Sequence, residues 1–214
     1  EIAAASEAQA PILILSHLVC AEDSGATMNV HQARLLETVA DAFPGVPISF
    51  SNSGGVWLGE DYHHALTRPG IALYGGGQPP ENADLKPGMT LSAPILQVRQ
   101  IETGETVGYG ATWRAGKPTL VATLALGYGD GFPRSASNKG FATLGEFRCP
   151  SLGRISMDLI TIDVTDAAEL ARPGVYAQLI GPEAPLEEQA ALAGTIGYEL
   201  TTGLTPRVKR IYET

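Results

Sequence analysis

Cysteine is scarce in this chain: Cys20 and Cys149 are the only two, far apart and in no metal-ligand spacing. So sparse a set argues against a disulfide framework and for a reducing compartment, the cytoplasm. Basic residues are also few. Fourteen Lys and Arg against 23 Asp and Glu leave a net charge of -9. That balance argues against a broad electrostatic surface for nucleic acid or anionic lipid, while leaving room for a local basic pocket holding one phosphate. No window approaches the roughly 18 uninterrupted apolar residues of a membrane span. The opening stretch "EIAAASEAQAPILILSH" has no basic region of the kind that begins a signal peptide, and it does not start with Met. It reads as the tail of a helix, "IAAASEAQA", running into a buried strand, so the chain is expected to begin inside a larger protein. Internal repeats and low-complexity tracts are missing too.

What is present is the balance of a folded protein. Of the 214 residues 44% are apolar and 17% charged, enough to build one domain or two of about 100 residues each. Residues 1–75 have an α/β rhythm. "ILILS" (12–16) is a short apolar run, as expected of a strand covered on both faces. Val30, Ala33, Leu36, Val39, Ala40 and Phe43 recur at helical steps, which predicts an amphipathic helix with Asn29 as its N-cap. "VPISFS" (46–51) and "GIALYG" (70–75) read as two further buried strands, with "YHHALT" as a helical link before Arg68. Strands separated by helices at this spacing imply parallel pairing.

The composition changes at "GGGQPPENADLKPG" (75–88), a linker by its Gly, Pro and Asn content. Thereafter strands alternate with turns. Candidates are 90–101, 119–129, 140–144, 159–164 and 175–181, with "PRVKRIY" (206–212) closing the chain. One helix is expected, "PLEEQAALAGTI" (185–196), opened by a proline and acidic residues.

Several stretches have the residue types of a site. "SNSGG" (51–55) follows a strand, where small residues let backbone amides and the Ser53 hydroxyl approach a ligand oxygen; a plain turn fits as well. In "RPGIALYG" the amides of Gly70 and Ile71 could face an anion beside Arg68, which could equally be a solvated surface residue. "LGYGDGFPR" offers Tyr128, Asp130 and Arg134 on a glycine-rich loop, though GDG also suits a hairpin turn. In "LGRISMD" Arg154 and Asp158 flank Met157, and could be no more than a surface pair. "VGYGATW" sets Tyr109 between two glycines. A phenol is a proton donor at neutral pH, and it needs a cation or hydrogen-bond donor nearby to serve as a base. His17 and Arg68, both at strand ends, are candidates for that neighbour.

Taken in order, "SHLVCAED", "SNSGG", "RPGIALYG", "VGYGATW", "LGYGDGFPR" and "GRISMD" resemble alanine racemase, a pyridoxal 5'-phosphate enzyme, over essentially the whole chain. The resemblance implies an α/β fold followed by a mostly β fold: the last strands of a (β/α)8 barrel (1–80), then a C-terminal β domain (81–214), in a head-to-tail homodimer. It implies that Tyr109 is the catalytic acid/base for one face of the substrate's Cα, working in the partner subunit's site, while a lysine that carries the cofactor serves the other face. His17 and Arg68 match cofactor-ring residues, and Ser53, Gly70, Ile71 and Tyr198 the phosphate-binding group. The Met157 amide matches the one receiving the substrate carboxylate. Tyr128, Arg134 and Arg154 match the corridor through which substrate arrives.

Two counterparts are missing from the sequence. The cofactor lysine of the family lies on the first barrel strand, whereas Lys86, Lys117, Lys139 and Lys209 all follow the α/β part. The family's carboxylate-binding arginine on an earlier strand has no match either. The expectation is an inactive fragment of an isomerase that supplies D-alanine for peptidoglycan. A racemase of broader amino-acid specificity, or a non-catalytic domain, are the alternatives.

Overall fold

The computed structural model describes residues 11–80 and 83–212, so the expected helical tail at 1–10 lies outside the described residues. The chain divides into two compact units, Glu1–Leu85 and Lys86–Thr214.

In unit 1 three parallel strands, β1 (Ile14–Leu15), β2 (Ile48–Asn52) and β3 (Leu66–Arg68), lie in that order. Helix α1 (Thr27–Ala42) covers them, and Ile14, Leu18, Ala21, Leu36 and Phe50 form the core. Strand β1 is not covered on both faces, since Leu15 is 59% exposed. Asn29 is not the N-cap. Ala26 is, with no side-chain bond, and Asn29 is buried in the first turn, its Nδ2 donating to Asp23 O at 2.9 Å. Val30 faces outward. The third strand is Leu66–Arg68 rather than "GIALYG", which forms a 3-10 helix at Ile71–Tyr74. The expected helical link "YHHALT" is not a helix: a 3-10 turn at Glu60–Tyr62 ends at its first residue, and Leu66 and Thr67 already belong to β3. The cause is visible at Ser53: its Oγ accepts the N–H groups of Gly70 (2.9 Å) and Ala72 (3.3 Å), curling the apolar run that would otherwise extend.

Unit 2 is mainly one antiparallel sheet in the order β10-β7-β4-β11-β8-β9. Its strands are β4 (Leu91–Ile101), β7 (Thr119–Leu124), β8 (Phe141–Leu144), β9 (Phe147–Pro150), β10 (Ile160–Asp163) and β11 (Tyr176–Ile180). An isolated bridge, Ser151 with Ile162, and a bond from Leu152 N to Thr161 O (2.8 Å) join the two ends of that order. The sheet thus closes on itself, which removes the open edges that an unpaired strand presents. Leu91, Ala93 and Ile95 alternate inward along β4 until a bulge between Ile95 and Gln97 resets the phase. A small hairpin, β5 (Thr106–Val107) with β6 (Trp113–Arg114), stands apart from the main sheet.

Helix α3 (Leu186–Ala193) docks on the β8–β9 hairpin through wholly buried Gln189, whose Nε2 donates to Phe141 O at 2.7 Å. Arg148 lies 3.5 Å from the Phe141 ring centre and pairs with Glu188 at 2.7 Å. A further short helix, α4 (Gly197–Gly203), follows. "PRVKRIY" is not a strand. Arg210 donates to the carbonyls of Leu204, Thr205 and Val208, tying that segment to itself instead of to a ladder.

Candidate functional site

In unit 1 the polar residues gather where the parallel strands end, the place at which α/β sheets build sites. His17 follows β1, Asn52 ends β2 with Ser53 directly after it, and Arg68 ends β3. Arg68 does not precede a strand; it closes one. Its guanidinium donates to Ser49 Oγ (2.6 Å), Ser16 O (2.7 Å) and Phe50 O (3.4 Å), and Nη2 lies 3.3 Å from His17 Nδ1. Among the described residues no carboxylate pairs with it, so the positive charge is oriented by neutral dipoles alone. On its other side the His17 ring has Asn52 Nδ2 at 3.3 Å from Nε2.

Ser53 opens the short helix α2 (Ser53–Val56), whose first turn is capped by Asn52 Oδ1 accepting Gly55 N–H at 2.9 Å. The two glycines of "SNSGG" are there for close approach. A Cβ on Gly54 would sit 2.9 Å from Ala21 Cβ, and one on Gly55 2.7 Å from Leu18 Cδ1. The Gly70 N–H is not free to face an anion, because it is bonded to Ser53 Oγ. With both Ser53 lone pairs occupied by amides, the hydroxyl proton is left to donate. Among the described residues the Ile71 N–H has no acceptor.

Unit 2 carries the remaining residues on turns outside the closed sheet. Tyr109 opens a 3-10 turn (Tyr109–Ala111) between Gly108 at φ +76° and Gly110 at φ +73°. Its side chain is 71% exposed, and among the described residues its hydroxyl makes no hydrogen bond. This turn lies against the turn of Gly153 and Arg154. A Cβ on Gly108 would be 2.7 Å from Arg154 N, and one on Gly153 would be 2.5 Å from Val107 O. Only glycines permit that contact. Arg154 Nη1 lies 3.3 Å from where a Gly110 Cβ would be, beside Tyr109.

A second group surrounds "GYGDG". This is a 3-10 turn (Tyr128–Asp130), not a hairpin, with buried Asp130 accepting Gly127 N–H at 2.9 Å. Tyr128 N–H and Gly129 N–H donate to Ser156 O (3.0 Å) and Met157 O (2.8 Å), which locks the turn to the Met157 loop. Met157 is exposed, and among the described residues its own N–H has no acceptor. Asp158 does not pair with Arg154. Arg207 bridges it (2.5 Å) and Asp130 (3.1 Å). The hydrogen bond to Asp158, then the charge of Asp130, raise the Arg207 pKa further above its ordinary value. Arg134 is exposed at the start of its own 3-10 turn, and Tyr198 is exposed in the first turn of α4.

Sequence reasoning did not single out Ser49, Asn52, Asn138 or Arg207. Ser49 lies in the expected strand "VPISFS", and Asn52 in "SNSGG", where only the Ser53 hydroxyl and the backbone amides were given a role. Asn138 lies in "SASNKG", between the loop "LGYGDGFPR" and the strand expected at 140–144, and belongs to neither. Arg207 was absorbed into the closing strand expected there.

Comparison with known proteins places both units. Residues 1–78 match the family model "Alanine racemase, N-terminal domain" and residues 88–212 match "Alanine racemase, C-terminal domain". A relative from Agrobacterium fabrum, "Alanine racemase, catabolic", is 45% identical over 93% of this chain and 52% of its own length. One from Acidiphilium cryptum, "Alanine racemase", is 47% identical over 92% of this chain and 56% of its own. The solved alanine racemase from Bartonella henselae, with covalently bound pyridoxal phosphate, superposes with a TM-score of 0.88 at 40% identity, covering 94% of this chain and 56% of that one. The chain spans about half the length of the curated relatives it matches.

Proposed function

Because the chain belongs to the alanine racemase family, we propose that it is the C-terminal portion of a pyridoxal-phosphate-dependent enzyme interconverting L- and D-alanine, with Tyr109 as one of two acid/base groups. The observation that carries the reading is the Tyr109 phenol itself: exposed, unpartnered among the described residues, and held on a turn fixed by backbone contact. Packing aromatics do not look like this, whereas a group that exchanges a proton with a ligand does.

The residues present fit the cofactor. Ser53 has only a proton left to give, which suits a phosphate oxygen, and Arg68 holds a positive charge oriented by neutral dipoles at the strand ends, suited to a pyridine nitrogen. When bound, pyridoxal phosphate supplies an electron sink that makes the substrate Cα–H acidic. A guanidinium does not give up its proton, so Arg68 would leave the ring nitrogen unprotonated and moderate that sink. His17 would hold the ring, with Ile71 and Tyr198 around the phosphate and the Gly70 amide bracing Ser53. The Met157 N–H would orient the substrate carboxylate, and Tyr128, Arg134 and Arg154 would line its approach.

Inversion needs proton transfer on opposite faces of Cα, because a single base tends to return the proton where it found it. Tyr109 would serve one face, acting with Met157 in the partner subunit's site of a homodimer. The other face needs the cofactor lysine, which has no counterpart in these 214 residues. The full-length protein would supply D-alanine for peptidoglycan in the cytoplasm. The barrel portion would be residues 1–80 and the β domain 81–214, and this chain alone would not racemise.

The test is Tyr109→Phe in the full-length protein. Racemisation should fall by about 10²- to 10⁴-fold, the usual range for one general acid/base group. A variant as fast as the parent would overturn the reading. Comparable rates on L-alanine, L-serine and L-lysine would instead replace alanine by a broader substrate class.

A further inference from the structure

We propose that Asn138 is a positioning residue for Tyr109, an inference that rests on the acid/base role given to Tyr109 above. Nothing on the Tyr109 side chain fixes its place, since the phenol makes no hydrogen bond among the described residues. What holds its turn is backbone contact with Gly153 and Arg154, and one side-chain amide that spans the two turns. Asn138 Oδ1 accepts Gly153 N–H at 2.6 Å, and Asn138 Nδ2 donates to Thr112 Oγ1 at 3.3 Å. The Gly153 N–H can only donate, which fixes which end of the amide is oxygen. The neighbouring Ser137 adds a third tie, its Oγ accepting Ile155 N–H at 3.0 Å.

Asn138 adopts φ +60°, one of three non-glycine residues at positive φ among the described residues. Another of the three is Ala111, inside the Tyr109 turn itself, at φ +49°. Asparagine is among the few side-chain-bearing residues that tolerate this conformation, and its short amide offers a donor and an acceptor at once. Both capacities are used here, and both ends touch the turns that carry Tyr109 and Arg154. Asn138 itself is exposed, so it fills no core position whose loss would explain an effect by itself.

Asn138→Gly is the clean variant, because glycine keeps the left-handed backbone without strain and removes both hydrogen bonds. In the full-length enzyme its kcat for L-alanine should fall about 10- to 100-fold, as displacing a reacting group by about 1 Å does. KM should change less than about 3-fold, because the Met157 amide is untouched. The decisive measurement is the cycle with Tyr109→Phe. If Asn138 acts through Tyr109, adding Asn138→Gly to Tyr109→Phe should cost less than about 3-fold in kcat. In the 214-residue chain the Gly153 amide should exchange with solvent at least about 10-fold faster in Asn138→Gly. Equal losses from Asn138→Gly in both backgrounds, an unchanged kcat, or an unchanged Gly153 exchange rate would each overturn the proposal. If Tyr109→Phe alone retains the parent rate, the reading beneath it fails, and the proposal with it.

Discussion

In unit 1 the order β1-β2-β3 leaves an unpaired edge at each end among the described residues, and Leu15 and Leu66 are exposed, as are Val30 and Leu35 of α1. In unit 2 the strand order returns on itself at Ser151 and Ile162, and Ile95, Leu124, Ile160 and Ile162 are almost wholly buried. The difference shows in where each unit keeps its polar groups. Unit 1 gathers them at strand ends, where Arg68 is held by Ser49 Oγ and backbone carbonyls, Asn52 by His17 and Gly55, and Ser53 by the Gly70 and Ala72 amides. Unit 2 presents Tyr109, Tyr128, Arg154 and Met157 on turns outside the closed sheet. A closed sheet gives those turns a rigid base; an open one leaves its site to the hydrogen bonds among its own residues.

The largest effect that would break this comparison is in the unit 2 core. Leu124→Ala should destabilise the chain by about 2–5 kcal/mol in urea titration, because a closed sheet cannot collapse around the cavity. A loss under about 1 kcal/mol would mean that the sheet is looser than its hydrogen bonds imply. The cysteines give a sharper contrast. Burial, then the charges of Asp163 and Asp166, push the Cys149 thiol up from 9.0 to about 11, whereas Cys20 is half-buried in unit 1. Iodoacetamide at pH 8 should label Cys20 at least about 100-fold faster than Cys149, since only the thiolate reacts.

The same thiol gives a pH prediction. Between pH 9.0 and about 11 the unfolded chain loses that proton while the folded chain keeps it. The folded state then binds more protons, so the contribution of this group to stability falls as pH rises through the window. Cys149→Ala should remove that part of the decline in urea midpoint; an identical decline in the variant would refute it. The smallest effect belongs to unit 1. Leu15→Ser in this chain should change stability by less than about 0.5 kcal/mol, as at other exposed positions. A loss above about 1.5 kcal/mol would show that Leu15 is covered and the contrast between the units overstated.

Much of unit 2 was legible because alternation survives closure. Strands β4, β7, β8, β10 and β11 all lie within the apolar runs that pointed to them. Strand β9, "FRCP", was not, because Phe147, Arg148 and Pro150 are all exposed and only Cys149 is buried, so no two-residue period shows. "GIALYG" misled for the opposite reason. Its apolar run suits a buried strand, and only the distant Ser53 hydroxyl, a contact no local pattern contains, turns it into a 3-10 helix. Asn29 shows a third cause. An asparagine before an apolar period signals a cap, but this one is drawn inward to Asp23 O. At the candidate site the motifs named Tyr109, Arg68 and Ser53, yet not what orients them. Ser49, Asn52, Asn138 and Arg207 act across 15 or more residues, beyond the reach of spacing arguments.

Ser53 has one more consequence, a rule of valence. A hydroxyl oxygen that already takes protons from Gly70 and Ala72 behaves as a one-way contact: it can give its hydrogen and can receive none. Whatever meets it must present a bare lone pair. An ammonium or amide nitrogen at that spot would set donor against donor and forfeit about 1–3 kcal/mol. Two backbone amides thus turn an adaptable side chain into a filter for the sign of its ligand's polarity, before any net charge is counted.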